Sequence, residues 1–270
     1  FNGQAQPQEQ QYKGSMLDGS LHHLTDEGNI KYILANVTGP TSRYFSKNHR
    51  SFLWIDDVIL VIDDVCSHED GTFSLLFHPD GVSRKNGNEW SVVNQQAAVD
   101  IRPRWPEYLT ESDFEHDFPY NLKLKAHQGP KAKKTDEMET YYSVTYPIKA
   151  QSVKFITAII LKDSPASKNI PQVTRLKGDD LQGVRIAKGD KITDVYLNTR
   201  ADGHIMHRNS CTNVNGWDTD AYLLAFSYKK GTDPAVSKNI LEWFIGYGSY
   251  VRNAHESIFD SYTKKYKVIR

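Results

Sequence analysis

Two short segments of this 270-residue chain bring cationic side chains close to aromatic rings. The first is Asp100 to Tyr108, DIRPRWPEY. Because alternate residues of an extended chain point to the same face, Arg102 and Arg104 would share one face, with Trp105 nearby. A guanidinium can hold a carboxylate or sulfate through two parallel hydrogen bonds, and an indole can cover the apolar face of a sugar ring. The segment is therefore a candidate binding site for an acidic saccharide.

The second cationic cluster consists of Lys47, His49 and Arg50, which enter a β-rich hairpin. It offers the same anion-binding chemistry, so we count His49 and Arg50 with Arg102, Arg104 and Trp105 as candidate substrate-binding residues. The alternative for both clusters is a solvated sheet edge on which arginine stems pack over aromatic rings. The sequence leaves these two interpretations open.

Paired carboxylates are the other candidates for chemistry, because two adjacent acids can act as a proton donor and a base. The first pair, Asp56-Asp57, stands at a predicted turn, and the second pair, Asp63-Asp64, is predicted to end a strand. Aspartate at such positions bonds its own backbone, so we predict turn chemistry for both pairs. The chain also has no serine nucleophile elbow, phosphate loop or catalytic Cys/His pairing. No catalytic residue is predicted.

The histidines do not predict a metal site. His22 and His23 are adjacent, so they would point to opposite faces of a strand. His204 and His207 flank a predicted turn that could bring them together, but no Cys or carboxylate stands at a spacing that completes a ligand set. We predict no metal and no cofactor in this chain.

Composition limits the partners and the architecture. The 33 Lys and Arg balance the 33 Asp and Glu, so no whole-protein field attracts nucleic acid, and no apolar run is long enough to span a membrane. With 39% hydrophobic residues the chain can bury a large core and does not need disulfides or a metal ion to stabilise it. Cys66 and Cys211 are predicted to be free thiols, since they are too few for a zinc framework.

The elements that must position these residues are strands. Lys47 to Val65, KNHRSFLWIDDVILVIDDV, is two β-branched and aromatic runs joined across Asp56-Asp57, the pattern of a hairpin. Similar runs follow at short intervals, and only Leu109 to Phe118 is weakly helical. The lysine-rich stretch GPKAKKTDE predicts an exposed loop. Further strands are predicted over residues 29–38, 71–77, 90–93, 97–101, 121–126, 141–146, 153–161, 174–177, 183–187, 193–198, 221–228, 241–251, 257–262 and 267–269.

This pattern predicts an all-β chain: a multi-sheet antiparallel β-sandwich of the supersandwich kind, with little helix. No internal repeat or long linker divides it, so we predict a single domain over residues 1–270. The polar opening FNGQAQPQEQQYKG is typical of a segment taken up partway through a larger domain.

Several stretches together resemble the C-terminal β-sheet region of the heparinase II/III family of polysaccharide lyases. They are NHRSFLWIDDVILVIDDV followed by GTFSLLFHPDG, then LNTRADGHIMHRNSCTNVNGWDTDAYLLAF, and FIGYGSYVRNAHESIFDS near the end. The similarity extends over most of the chain. The resemblance implies a bacterial, periplasmic or secreted lyase that cleaves uronate-containing glycans by β-elimination.

In that family an N-terminal helical toroid packs on the β-sandwich, and the polysaccharide lies between them. The resemblance places the catalytic residues, and the ligands of a possible zinc ion in the full-length protein, in the toroid and in a His-x-His-x-Asp segment, neither of which is present here. No catalytic or metal residue can therefore be carried over, and we expect the isolated chain to be inactive. Its expected partners are an acidic polysaccharide and the toroid of the same protein. A free-standing carbohydrate-binding module and a purely structural sandwich remain alternatives.

Overall fold

The computed structural model describes residues 1–3, 18–87, 89–95, 97–106, 122–131, 134–203 and 211–270, with only the backbone described at 131 and 134–136. Most of these residues lie in antiparallel strands, which confirms the predicted all-β, multi-sheet antiparallel β-sandwich class with little helix. Their helices are the single turn α1 (Thr38–Thr41) and a 3-10 turn (Ser237–Asn239). No helix in the described part of the chain is long and apolar enough to cross a membrane.

By its internal contacts the described chain divides into two compact units. The first comprises Phe1–Leu24 and Lys31–Lys168, and the second comprises Thr25–Ile30 and Asn169–Arg270. The single domain over residues 1–270 stays a prediction.

The first sheet has nine strands within the described residues, in the order β1-β2-β3-β4-β9-β7-β6-β5, with β8 also paired to β9. Its core lies around Trp90, Phe155 and Val144. The strands are β1 (Ser20–Glu27), β2 (Ile30–Asn36), β3 (Phe45–Ile55), β4 (Val58–Phe77), β5 (Val82–Asn86), β6 (Glu89–Asn94), β7 (Ala97–Trp105), β8 (Lys123–Lys131) and β9 (Lys134–Lys162).

The hairpin of β3 and β4 turns at Asp56-Asp57, as the sequence predicts. Asp56 has a positive φ of 49°, and Ile55 pairs directly with Val58, so the connection is a two-residue turn. Turns of this length match the twist of the flanking strands, and aspartate tolerates the left-handed conformation they require. This turn fixes the register of the whole pair.

Two strands are much longer than predicted. β4 joins the predicted runs 58–65 and 71–77 through a register shift between Cys66 and Phe73, and β9 joins the runs 141–146 and 153–161. The predicted GPKAKKTDE loop is wrong, because strand backbone covers all of it except residues 132–133, which lie outside the described residues. The stretch has almost no apolar residues, so it carries no hydrophobic alternation from which a strand could be predicted. The predicted weak helix Leu109 to Phe118 falls outside the described residues.

The second sheet has eight strands in the described chain, in the order β10-β11-β12-β15-β16-β14-β13, with β17 paired to β16. Trp217, Phe226 and Trp243 pack together in its core. The strands are β10 (Gln172–Gly178), β11 (Leu181–Lys188), β12 (Lys191–Asn198), β13 (Thr212–Val214), β14 (Trp217–Thr219), β15 (Leu223–Lys229), β16 (Ile240–Arg252) and β17 (Ser257–Ile269).

Gly28, in the turn between β1 and β2, is packed against an ion pair of the second unit. Glu242 is buried, and its Oε1 accepts hydrogen bonds from the Asn29 backbone N–H at 3.1 Å and from Arg270 Nε at 3.2 Å. Gly28 has a positive φ of 73°, and a Cβ there would collide with Glu242 Oε1 and Arg270 Nη2. Only glycine satisfies both the conformation and the space.

We predict that Gly28→Ala lowers the free energy of unfolding by about 2 kcal/mol or more, since backbone strain and a steric clash add together. Urea unfolding followed by circular dichroism measures the change. Gly189→Ala is the matched control, because Gly189 also has a positive φ (61°) but has nothing within 4 Å of a built Cβ. Equal losses for the two variants would show that the Glu242 contact adds nothing.

Candidate functional site

The β3–β4 register divides the predicted cluster of Lys47, His49 and Arg50 between the two faces of the sheet. Arg50 pairs across the strands with Asp63, and His49 pairs with Asp64. Adjacent residues of a strand point in opposite directions, so Arg50 and His49 cannot act together on one ligand. The two faces must be considered separately.

On the face of Arg50 a groove of about 590 Å³ opens between β3, β4 and α1. We call it the Arg50 groove. Aromatic and aliphatic side chains form most of its lining, and Arg50 and Asp63 are its charged groups. Its lining includes Phe45, Asn48, Arg50, Phe52, Asp63 and Phe73. A mostly apolar concavity with a few polar groups is the usual form of a ligand site.

Asp63 holds the Arg50 guanidinium in place inside this groove. Arg50 Nε donates a hydrogen bond to Asp63 Oδ1 at 2.6 Å. The Arg50 side chain is 36% exposed, and within the described residues its two Nη groups have no hydrogen-bond partner. An oriented guanidinium with unused donors can bind a carboxylate or a sulfate.

The other oxygen of Asp63 is buried and has no partner among the described residues. Asp63 is 2% exposed, and its Oδ2 accepts no hydrogen bond from the described residues. Burial raises the pKa of the Asp63 carboxyl above its ordinary value, and the attraction of Arg50 only partly offsets this rise. The ionised carboxylate is therefore held at a cost to stability.

On the opposite face Asp64 is paired twice. Lys47 Nζ and Lys154 Nζ lie 2.5 Å and 2.6 Å from Asp64 Oδ2, and all three side chains are largely buried. Burial acts to raise the pKa of Asp64, but the two ammonium groups together outweigh it and hold the pKa below its ordinary value. His49 is also buried on this face, with the His22 ring centroid 5.9 Å from its own. His49 is thus enclosed by the sheet rather than presented to solvent.

These positions correct two predictions for Asp63-Asp64. The pair does not end a strand but lies inside β4, and both side chains form ion pairs rather than turn contacts. The predicted strand end at Asp63-Asp64 is wrong because the whole run from Val58 to Cys66 pairs continuously with β3 and β9. Charged residues are tolerated in such a buried strand when each has a partner.

The DIRPRWPEY segment places both arginines on one face, as alternation predicts. Arg102 Nε and Arg104 Nη1 lie 3.3 Å and 3.0 Å from the carboxylate oxygens of Glu89. Asp100 adds ion pairs with Arg102 at 3.5 Å and with Lys162 at 2.8 Å. The cations of this cluster are therefore engaged with carboxylates of the protein itself.

Trp105 does not offer the expected stacking surface, because it is 2% exposed. Its ring belongs to the interior of the first unit, and a sugar could reach it only after local opening. Arg104 is buried as well, whereas Arg102 is partly exposed. Substrate binding by His49, Arg50, Arg102, Arg104 and Trp105 stays a prediction, and Arg50 has the most accessible geometry.

Two aromatic residues that the sequence analysis did not single out lie on the face of Arg50. Phe52 is 37% exposed and Trp54 is 44% exposed. Both alternate with the buried Leu53 and Ile55 on β3 and so share the side of Arg50. The sequence does contain a signal for them, because Phe52 and Trp54 follow Arg50 at intervals of two and must share its face of a strand.

The described residues contain no group of three or more His, Cys, Asp or Glu side chains that could hold a metal ion. They therefore provide no ligand set for the zinc that the resemblance implies for a full-length protein. His204 and His207 lie outside the described residues. Cys66 is partly buried and Cys211 is exposed, and neither forms a disulfide within the described residues. The Tyr250 hydroxyl donates a hydrogen bond to Cys211 Sγ at 2.7 Å.

No family model matches this chain, and no curated protein matches it. Among solved structures, heparinase III matches with a TM-score of 0.49 and 12% identity, over 67% of this chain and 27% of that one. A heparan sulfate lyase from Pedobacter heparinus matches with a TM-score of 0.49 and 12% identity, over 69% of this chain and 29% of that one. A second heparinase III matches with a TM-score of 0.47 and 14% identity, over 67% and 27%. The chain spans less than a third of each of these proteins.

The two neighbouring aspartates are predicted to respond oppositely to pH. A lowered pKa in the folded state means that Asp64 adds stability above the unfolded pKa of about 4, and this stability is lost as the pH falls. A raised pKa means that ionisation of Asp63 costs stability as the pH rises through the same range. Relative to the unmodified chain, Asp64→Asn should therefore destabilise the protein more at pH 7 than at pH 3. Asp63→Asn should destabilise it less at pH 7 than at pH 3.

At pH 7 we expect Asp64→Asn to lower the free energy of unfolding by about 3 kcal/mol, because two buried ammonium groups lose their counter-charge. Urea unfolding of both variants at a series of pH values measures these effects. Parallel pH profiles for the two variants would contradict the assignment of opposite shifts.

Proposed function

We propose that this chain is the C-terminal β-sheet region of a heparinase II/III-like polysaccharide lyase, which cleaves uronate-containing glycans by β-elimination. The observation that carries the binding part of this proposal is the Arg50 guanidinium, which Asp63 orients and which is partly exposed in an aromatic-lined groove. The family part rests on the sequence stretches that resemble these lyases, of which NHRSFLWIDDVILVIDDV forms β3 and the first half of β4.

In the proposed reaction a base removes the proton α to the uronate carboxylate, and an acid protonates the departing glycosidic oxygen. The electron pair of the broken C–H bond forms the double bond of the unsaturated sugar. Neutralising the uronate carboxylate makes that proton easier to remove. This region would hold the glycan, while the base and the acid would come from the helical toroid and the His-x-His-x-Asp segment of a longer protein. We propose a periplasmic or secreted location in a bacterium for that protein.

A free-standing carbohydrate-binding module is the second candidate. The exposed rings of Phe52 and Trp54 beside Arg50 favour it, since aromatic faces and a guanidinium suffice to bind an acidic sugar without any catalytic group. The lyase region and the binding module would use the same binding face. They differ in whether a longer protein supplies catalytic groups that act on the bound glycan.

We predict that the isolated chain releases no unsaturated product from uronate-containing polysaccharides, whereas a longer protein that includes the toroid does. The ultraviolet absorbance of the product follows the reaction across heparan, heparin and alginate. Activity of the isolated chain would contradict the assignment of the catalytic groups elsewhere. Inactivity of the longer protein on every uronate polymer, with binding retained, would favour the binding module.

We also predict that Arg50→Ala weakens binding of the chain to an acidic oligosaccharide by about tenfold, the loss expected for one charge-assisted contact. Affinity is measured by calorimetry at low salt. Arg200→Ala is the control, because Arg200 is an exposed arginine of the second unit that pairs with Asp180. Arg102→Ala and Arg104→Ala test the other predicted cluster, and a larger loss there than at Arg50 would move the site to that cluster.

A further inference from the structure

The indole of Trp54 is fixed in one orientation at the end of β3. Its Nε1 donates a hydrogen bond to the backbone oxygen of Asp56 at 2.6 Å, within the β3–β4 turn. The polar atom of the ring is thus satisfied by the protein, and 44% of the residue is exposed. A ring held in this way loses little conformational entropy when a ligand stacks on it.

A cation accompanies this ring. Lys31 of the neighbouring strand β2 places its Nζ 5.9 Å from the centroid of the Trp54 ring. Lys31 is exposed, and Ile33, two residues along β2, is 37% exposed on the same side. An ammonium next to an indole face suits a sugar that has both an apolar ring face and an acidic group.

The same side of β3 continues from this ring into the Arg50 groove. Phe52 stands between Trp54 and Arg50 and also lines the groove. Trp54 lies four positions beyond Arg50 on the strand, a distance of about 13 Å. The cations Lys31 and Arg50 therefore lie at the two ends of a row that has aromatic rings along it.

We infer that Trp54, Phe52 and Arg50, with Lys31, form a linear track along β3 for an acidic oligosaccharide. Trp54 and Lys31 hold one acidic sugar, and the Nη groups of Arg50 hold the carboxylate or sulfate of another sugar further along the chain. This inference rests on the proposed function and deepens it, because it names the binding track and requires at least two acidic sugars in one ligand.

Charge complementarity favours a glycan over an apolar protein surface on this track. A partner with an apolar face would bury the Arg50 Nη groups without giving them acceptors, which is costly for a charged donor. An acidic oligosaccharide brings an acceptor to each end of the row and a ring face to the aromatics between them. A second copy of this chain would bring the same cations to one another.

The test is binding of an acidic oligosaccharide, a heparan-derived hexasaccharide, to the whole chain, measured by calorimetry at low and high salt. We expect Trp54→Ala to weaken binding by about tenfold, and Trp54→Phe by less, because phenylalanine keeps a ring. Lys31→Ala should weaken binding by about threefold at low salt and should reduce its salt dependence. Leu241→Ala and Lys238→Ala remove an exposed apolar residue and an exposed cation of the second unit and serve as matched controls.

Ligand length separates this inference from the proposed function. A disaccharide should lose less affinity in Trp54→Ala than the hexasaccharide, since it cannot reach both ends of the row. Binding that depends on Arg50 but is unchanged in Trp54→Ala would overturn the track and leave the proposed function standing. No binding of any acidic glycan to the unmodified chain would overturn both. A Trp54→Ala variant that changes only self-association, seen by light scattering, would assign this face to a second copy instead.

Discussion

The register of β3 on β4 is the constraint on which both faces of the first sheet depend. It starts at the two-residue turn of Asp56-Asp57, where Ile55 pairs with Val58, and runs without interruption to the pair of Lys47 and Cys66. Because side chains alternate with a period of two, a slip of one residue would exchange the two faces completely. Arg50 would then enter the buried side and leave the groove without its cation.

This register separates two adjacent carboxylates into different environments. Asp64 forms ion pairs with two ammonium groups that hold it ionised, so its carboxylate can be buried on this face of the sheet. Among the described residues, Asp63 accepts a hydrogen bond from the Nε of Arg50 alone, and its other buried oxygen has no partner. A fully satisfied network specifies a core, whereas a partly satisfied one retains free hydrogen-bonding capacity. The fold thus places the ion pairs of Asp64 on one face of the sheet and the unused Nη donors of Arg50 on the other.

The strands with strong β-branched runs could be predicted from sequence, and so could the turn at Asp56-Asp57. The merging of runs into the long strands β4 and β9 could not, because register shifts depend on which strand lies alongside. β13 and β14 were missed although Asn215 and Gly216, both with positive φ, form a recognisable turn signal between them. At the site, the local cluster of cations indicated Arg50. The burial of Trp105 and the exposure of Trp54 depend on which face of the sheet packs into the core, and the sequence does not specify this.

The same geometry explains why a strand in the middle of a sheet can serve as a binding surface. Arg50 is oriented by Asp63 and Trp54 by the backbone of Asp56, so both groups are positioned before any ligand arrives. Sites built on strands hold their geometry better than sites on loops, and less entropy is lost on binding. The alternate residues Ser51, Leu53 and Ile55 are fully buried and anchor β3 from its other side. Core packing and the proposed ligand binding therefore use opposite faces of one strand, and substitutions on the exposed face leave the packing of the buried face intact.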